Sequence, residues 1–204
     1  MARKFILTIG REYGSNGRLI GKRVAELMGV TFYDSQLITM AAKESGMSQS
    51  LLNDIDEKAA NSLMYSLSVG SGGFMGFTGA FNMPLNDKLF LVQADIIKDI
   101  AEKESAVIVG RCADYVLREE ADAVNIFIHA PYEKRKETVA ERFDCSLDKA
   151  ADMIVKKEKQ RKNYYNYYSG AKWGMHQNYH LCIDSSLLGV EGTAQLIADI
   201  LKNR

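Results

Sequence analysis

Residues 4–19 read Lys4-Phe5-Ile6-Leu7-Thr8-Ile9-Gly10-Arg11-Glu12-Tyr13-Gly14-Ser15-Asn16-Gly17-Arg18-Leu19. Lys4 to Ile9 is short, apolar and rich in branched side chains, the pattern of a buried strand, and Gly10 bounds it. After the turn Gly14-Ser15-Asn16-Gly17, the apolar residues Leu19, Ile20, Val24, Leu27 and Met28 recur at helical spacing, and Gly29 suits a C-cap. Val30-Thr31-Phe32-Tyr33 is then a second short strand, ending at Asp34. Strand, glycine turn, helix, strand is the opening of a parallel α/β sheet.

A phosphate requires several hydrogen-bond donors converging on it, together with positive charge. A strand that feeds through glycines into a helix supplies both, because the backbone N–H groups approach closely and the helix start carries a partial positive charge. The expected phosphate-binding turn is therefore Gly14, Ser15, Asn16, Gly17, Arg18 and Leu19. The standard P-loop reads GxxxxGK[ST], with lysine on the β- and γ-phosphates and a hydroxyl on magnesium. In this chain the spacing from Gly10 to Gly17 is longer by two residues, Arg18 takes the lysine place and Leu19 the hydroxyl place. Arginine neutralises phosphate through a planar fork, whereas leucine offers a metal no lone pair. Ser15 is the nearest hydroxyl that could stand in. A tight strand-to-helix turn with no ligand is the alternative for this stretch taken alone.

Further along, helices are expected over 34–45 and 48–63, with Ser35 and Ser48 as caps. Residues 63–83 hold a glycine-rich stretch with Phe74, Phe77 and Phe81, aromatics that a plain linker would lack. It is expected as a mobile loop that docks on substrate, on a neighbouring helix or on a second subunit in a homo-oligomer, or else packs on its own domain. Leu85 to Lys103 is an amphipathic helix, and Ala106 to Gly110 and Ala123 to Ile128 are apolar runs of buried strands. Pro131 stands where a helix carrying Lys134, Arg135 and Arg142 begins. Ser146 to Tyr168 is a long charged and aromatic helix cappable by Ser146, Leu181 to Asp184 a last strand, and Val190 to Leu201 a closing helix.

Lys plus Arg and Asp plus Glu number 26 each, so no net field draws the chain toward nucleic acid or anionic lipid. A chain of 204 residues, 47% hydrophobic and 25% charged, suits one folded α/β domain over 1–204 rather than a disordered protein. No apolar run approaches the roughly 18 residues of a membrane span, and the apolar start is too short for a signal peptide. Cys112, Cys145 and Cys182 are odd in number and outside any CxxC pattern, which suits reduced thiols in the cytoplasm. His176 and His180 have helical spacing without an HExxH glutamate, so no metal-ligating set is assigned.

Four segments in order carry a family resemblance. They are Ile9 to Arg18 followed by Phe32-Tyr33-Asp34; Val109-Gly110-Arg111; Asn125 to Ala130 followed by an arginine-bearing helix; and Glu158-Lys159-Gln160-Arg161 with Tyr164-Tyr165, then Tyr179 to Ser186. In these the chain resembles the bacterial cytidylate kinases and, more closely, cytidylate kinase-like proteins with a rewritten P-loop. The resemblance implies a three-layer α/β/α fold of the P-loop nucleoside triphosphate hydrolase type, with a parallel five-stranded core sheet and a helical lid over 146–178. It implies transfer of the ATP γ-phosphoryl group to CMP or dCMP with Mg2+, so the partners are small-molecule nucleotides. Carried over by position, Arg18 stands for the P-loop cation, Arg111 for the arginine that meets the acceptor phosphate, and Arg161 for a lid arginine. Asp34 lies where the family turns toward its acceptor. The family's Gly-Arg is normally followed by aspartate, whereas Cys112 and Ala113 follow here.

Three functions stay open on these residues. One is a nucleoside monophosphate kinase, one a nucleotide- or anion-binding regulatory protein without turnover, and one a kinase of another small acceptor, since one fold hosts many substrates. For Arg111, a surface pairing with Asp114 or Glu119 competes with the acceptor role, and the lysines of the long helix read best as a solvated face.

Overall fold

Strand β1 (Ile6–Arg11) lies at the centre of a five-stranded parallel sheet in the computed structural model, which describes residues 4–34, 38 and 85–204. Two residues beyond the apolar run join this strand, because Gly10 and Arg11 continue the ladder opposite Phe127 and Ile128. Helix α1 (Gly17–Met28) follows and ends where Gly29 takes a left-handed φ of 64°. Strand β2 (Thr31–Asp34), helix α2 (Leu85–Lys103), strand β3 (Ala106–Val109) and the short helix α3 (Ala113–Val116) come next. Strand β4 (Ala123–His129) leads into the helical hairpin α4 (Tyr132–Phe143) and α5 (Leu147–Ser169). Strand β5 (Leu181–Asp184) and helix α6 (Gly189–Lys202) close the chain. The strand order is β2-β3-β1-β4-β5, all pairs parallel.

Alternation along β1 sorts the core into two layers. Leu7 and Ile9 face one side, where Ile20 and Val24 of α1 and Ile197 and Leu201 of α6 bury them. Ile6 faces the other side, with Ile97 of α2, Ala113 of α3 and Leu117. Thr8 is buried as well, and its hydroxyl donates to Asn125 Oδ1 at 2.7 Å, so the one polar side chain in the middle of the strand is satisfied. Helices therefore cover both faces, and every strand ends its carboxyl side at the same edge. In open parallel sheets that edge is where ligands bind.

The α4–α5 hairpin has a small core of its own, Val139, Ala150 and Ile154, and Tyr13 of the turn after β1 packs against it. Ser146 caps α5 by accepting from the Lys149 amide at 3.2 Å, as its sequence position suggests. Ser146→Ala is expected to lower the unfolding free energy by about 1 kcal/mol in urea denaturation, the usual worth of an N-cap, and an unchanged midpoint would contradict the cap. The helices expected over 34–45 and 48–63 and the glycine–phenylalanine stretch lie outside the described residues, apart from Asp34, which ends β2 rather than starting a helix, and Ile38, which is helical and buried. Among the described residues no helix is long and apolar enough to cross a membrane.

Candidate active site at the carboxyl edge of the sheet

Between β1 and α1 the chain makes a left-handed turn, with φ of 87° at Gly14 and 59° at Asn16, the residue that precedes α1. Successive N–H groups in such a turn form a concave anion seat. Within the turn, Glu12 N donates to Ile128 O, Tyr13 N to Glu158 Oε1 and Ile20 N to Asn16 O. The amides from Gly14 to Leu19 have no acceptor among the described residues. Ser15 does not serve as a stand-in for the missing metal hydroxyl. Its side chain is buried and donates inward to the carbonyls of Glu12 at 3.0 Å and Ile128 at 3.1 Å, while Ser185 Oγ donates to the Ser15 carbonyl. Its oxygen holds the turn onto β4, which the linear spacing of hydroxyl and glycine does not reveal. Leu19 is largely exposed at the start of α1.

Four arginines meet at this edge. Arg18 leaves the start of α1 and donates from Nε to Asp34 Oδ2 at 2.7 Å, so two residues expected in separate roles form an ion pair at the ends of α1 and β2. Arg111 sits in the turn after β3, where Gly110, Arg111 and Cys112 have consecutive φ values of 86°, 55° and 54°. Two non-glycine residues in the left-handed region store backbone strain, which proteins keep chiefly at functional positions. The guanidinium of Arg111 lies 5.6 Å from the Tyr164 ring centroid, and its buried Nε has no hydrogen-bond partner. The surface pairing considered for Arg111 does not occur, since Glu119 pairs with Arg118 and Asp114 accepts from Tyr165 Oη at 2.7 Å. Arg161 reaches down from α5, donates to the Arg11 carbonyl at 2.9 Å and lies over the Tyr13 ring. Burial lowers its pKa, with Glu158 acting in the opposite direction.

The fourth, Arg11, was read in the sequence only as a letter of the turn. It is the last residue of β1. As a residue it keeps part of its surface, yet its Nε is buried without a partner. Burial and the charges of Arg161 and Arg111 lower its pKa to about 9, partly offset by Asp34. It remains a cation at neutral pH.

A second network that sequence reading missed joins the turn to the hairpin. Arg135 of α4 is buried and bonds Glu12 Oε2, Glu158 Oε1, the Ala130 carbonyl and the Tyr13 carbonyl. Glu12 also accepts from the Ala130 amide, and Glu158 from the Tyr13 amide. Arg142, further along α4, donates to Asn16 Oδ1 at 2.6 Å. The lysines Lys156, Lys157, Lys159 and Lys162 are exposed, as a solvated face requires.

Two cavities open at the edge and share Arg111 and Tyr164. One, about 390 Å³, is lined by Arg11, Tyr13, Arg111, Lys157 and Arg161 at its cationic end. The other, about 610 Å³, lies between α2 and α5 and is lined by Asp87, Phe90, Gln93, Tyr164 and Tyr168. Phe90 stacks on Tyr168 at 4.0 Å between centroids, and Tyr168 Oη donates to Asp87. Residues 14–19 line neither of these two cavities, although the cationic one reaches Gly10, Arg11 and Tyr13 at the start of the turn. Among the described residues no three His, Cys, Asp or Glu side chains gather as metal ligands.

Similarity to known proteins agrees with this architecture. A cytidylate kinase of Aeropyrum pernix is 24% identical over 192 residues, covering 94% of this chain and 95% of that protein. The crystal structure of an uncharacterized protein from Eubacterium ventriosum superposes with a TM-score of 0.74 at 27% identity, covering 98% of this chain and all of that one. A shikimate kinase from Bacteroides thetaiotaomicron superposes with a TM-score of 0.54 over 97% of this chain and 98% of its own. Its 12% identity speaks for the fold alone, which is that of the P-loop kinases. The sequence profile of the cytidylate kinase-like family matches residues 6–187, from the first strand of the sheet to just past the last. A match that spans all five strands, borne by a kinase fold, settles the relationship: the chain belongs to the cytidylate kinase-like family.

Proposed function

We propose that this protein transfers the terminal phosphoryl group of ATP to a nucleoside monophosphate, CMP or dCMP first among the acceptors. The observation that carries the reading is the gathering of four guanidinium groups at the carboxyl edge of a kinase-type sheet, next to a turn whose amides are unspent. Phosphoryl transfer asks for little covalent chemistry from the protein. Positioned positive charge around the moving group supplies most of the acceleration.

In this reading the amides of Gly14 to Leu19 hold the triphosphate and Arg18 neutralises it, with Asp34 fixing the Arg18 fork. Arg111, strained into position after β3, receives the acceptor phosphate. Arg161 reaches from the lid helix to the phosphate that moves. The bond between the γ-phosphorus and its bridging oxygen breaks, a bond to an acceptor phosphate oxygen forms, and ADP and a nucleoside diphosphate leave. The residues fit a polyphosphate. They do not place a magnesium ligand on the loop, because Leu19 stands at the hydroxyl place and the Ser15 hydroxyl is buried and turned inward onto the carbonyls of Glu12 and Ile128. No step is therefore assigned to a metal.

Coupled measurement of ADP release over a panel of nucleoside monophosphates tests the reading. Turnover with a pyrimidine monophosphate is expected, and no ADP with any acceptor, with or without magnesium, would end it. Arg18→Ala is expected to weaken ATP binding by about 1.5–3 kcal/mol, the worth of a charge-assisted hydrogen bond, and an unchanged titration in a folded variant would contradict the role. The buried, inward-facing Ser15 hydroxyl also favours a second reading, a nucleotide-binding regulator without turnover. Saturable ATP binding with no ADP release would select it.

A further inference from the structure

Arg111 and Arg161 come from elements far apart in the chain, the turn after β3 and the helix α5. Whether both can face one molecule depends on how far α5 stands from that turn. Two adjacent residues of α5 make the approach. The Tyr164 ring receives the Arg111 guanidinium at 5.6 Å, and Tyr165 Oη donates to Asp114 Oδ2 at 2.7 Å. Asp114 lies just beyond Arg111, in the first turn of α3. Tyr165 lies one helical turn beyond Arg161, about 6 Å along the same face of α5. One hydrogen bond therefore joins the local structure that carries one arginine to the local structure that carries the other.

Both ends of this bond are buried. Burial pushes the Asp114 carboxyl up from its ordinary range, with the Tyr165 hydroxyl and the amides of Asp114 and Tyr115 acting against it. Burial, and then Asp114, push the Tyr165 hydroxyl up as well. Two apolar side chains of similar shape would fill the space without desolvating a carboxyl group, and such exchanges are often neutral for stability. What the polar pair supplies instead is direction. An apolar contact tolerates sliding, whereas a hydrogen bond weakens steeply once bent below about 120°. Glu158, bonded to Arg135 and to the Tyr13 amide, anchors α5 about two turns before Tyr165. Arg161 stands between these two anchors.

We propose that Asp114 and Tyr165 are positioning residues, and that their hydrogen bond sets the distance between α5 and the turn after β3, so that Arg161 and Arg111 face one cavity. They act through the two arginines. The inference rests on the kinase reading only for the chemistry those arginines perform, because the tether has a reporter that needs no turnover. Trp173, the chain's only tryptophan, travels with α5, since its amide donates to Asn166 Oδ1 at 2.8 Å. Its ring meets that of Phe127 on β4 edge-on, with 5.5 Å between centroids, and lines the same cavity as Asp114 and Tyr165. A shift of this part of α5 carries Trp173 off Phe127.

Tyr165→Phe removes the hydroxyl and keeps the ring, while Asp114→Asn removes the charge and keeps an oxygen that accepts from the phenol. Wild type and both variants are compared by acrylamide quenching of Trp173 in the native state, well below unfolding, and by steady-state ADP release. Tyr165→Phe is expected to raise the quenching constant, and Asp114→Asn to keep the wild-type value. In ADP release Tyr165→Phe is expected to lower kcat about tenfold with the KM for ATP unchanged, since a misplacement of about 1 Å costs up to a hundredfold. Asp114→Asn is expected to keep most of kcat. A pair that only stabilised the fold would lower the melting temperature and leave native quenching and kcat as they are. The proposal is overturned by a Tyr165→Phe protein that matches wild type in quenching or in kcat, by one that does not fold, or by an Asp114→Asn protein that changes as much as Tyr165→Phe. A wild-type protein that releases no ADP with any acceptor ends the kinase reading, and the quenching comparison then decides the tether alone.

Discussion

Arg135→Met lowers the free energy of unfolding by about 3 kcal/mol in urea denaturation, the expected result of removing the shared cation of a largely buried network. The figure sits at the low end for such pairs because Glu12 and Glu158 each keep 24% of their side-chain surface in water. Methionine fills most of the arginine volume, so the loss reports charge and hydrogen bonding rather than a cavity. Glu12 and Glu158 would then lose the cation that bridges them, and the carbonyls of Tyr13 and Ala130 would lose donors. A loss below about 1 kcal/mol would mean that water replaces the guanidinium and that the network is a surface feature. The effect reaches the turn as well, because Glu158 also holds the Tyr13 amide.

Arg161→Ala is the second large effect, this time on rate. In the ADP-release assay kcat is expected to fall roughly 10²–10³-fold, about 2.7–4 kcal/mol, as for the removal of one preorganised donor from a developing charge. A loss seen only in KM would make Arg161 a ground-state binding residue, and an unchanged kcat would remove it from the site. Arg161→Lys keeps the charge and loses the fork, so a partial loss there separates neutralisation from geometry. The fold asks less of this side chain than of Arg135, since it donates to the Arg11 carbonyl and lies over the Tyr13 ring.

Much of the architecture was legible because it is written locally. The helix Leu85–Lys103 has the bounds its periodicity suggests, and α1 ends at Gly29 because a left-handed φ there is open to glycine at no steric penalty. Strand β3 was visible as an unbroken apolar run, and β4 as one interrupted by Asn125, because helices cover both faces of the sheet. The arginine expectations fared unevenly for a related reason. Arg111 and Arg161 were singled out by their positions after a strand and on the long helix, and both line one cavity at the edge of the sheet. Arg11, Glu12 and Arg135 were passed over. Lys134, Arg135 and Arg142 look alike as letters on one helix, yet Lys134 pairs with exposed Glu137, Arg142 reaches Asn16 and Arg135 is buried under the turn. Ser15 was read as a candidate stand-in because one of its two acceptors, the Ile128 carbonyl that turns the hydroxyl inward, is 113 residues away.

The chain's order of elements, the parallel sense of its sheet and the place of the glycine turn follow from patterns a few residues long, since backbone dihedrals and side-chain period are local properties. Which charges are neutralised and which stay unmet is decided between elements far apart in sequence. The bonds that tie Tyr13 to Arg135 and to Glu158 span 122 and 145 residues. Coulomb energy and desolvation depend on distance in space and on what excludes water there, so only the folded chain separates the satisfied Arg135 from the unsatisfied Arg11.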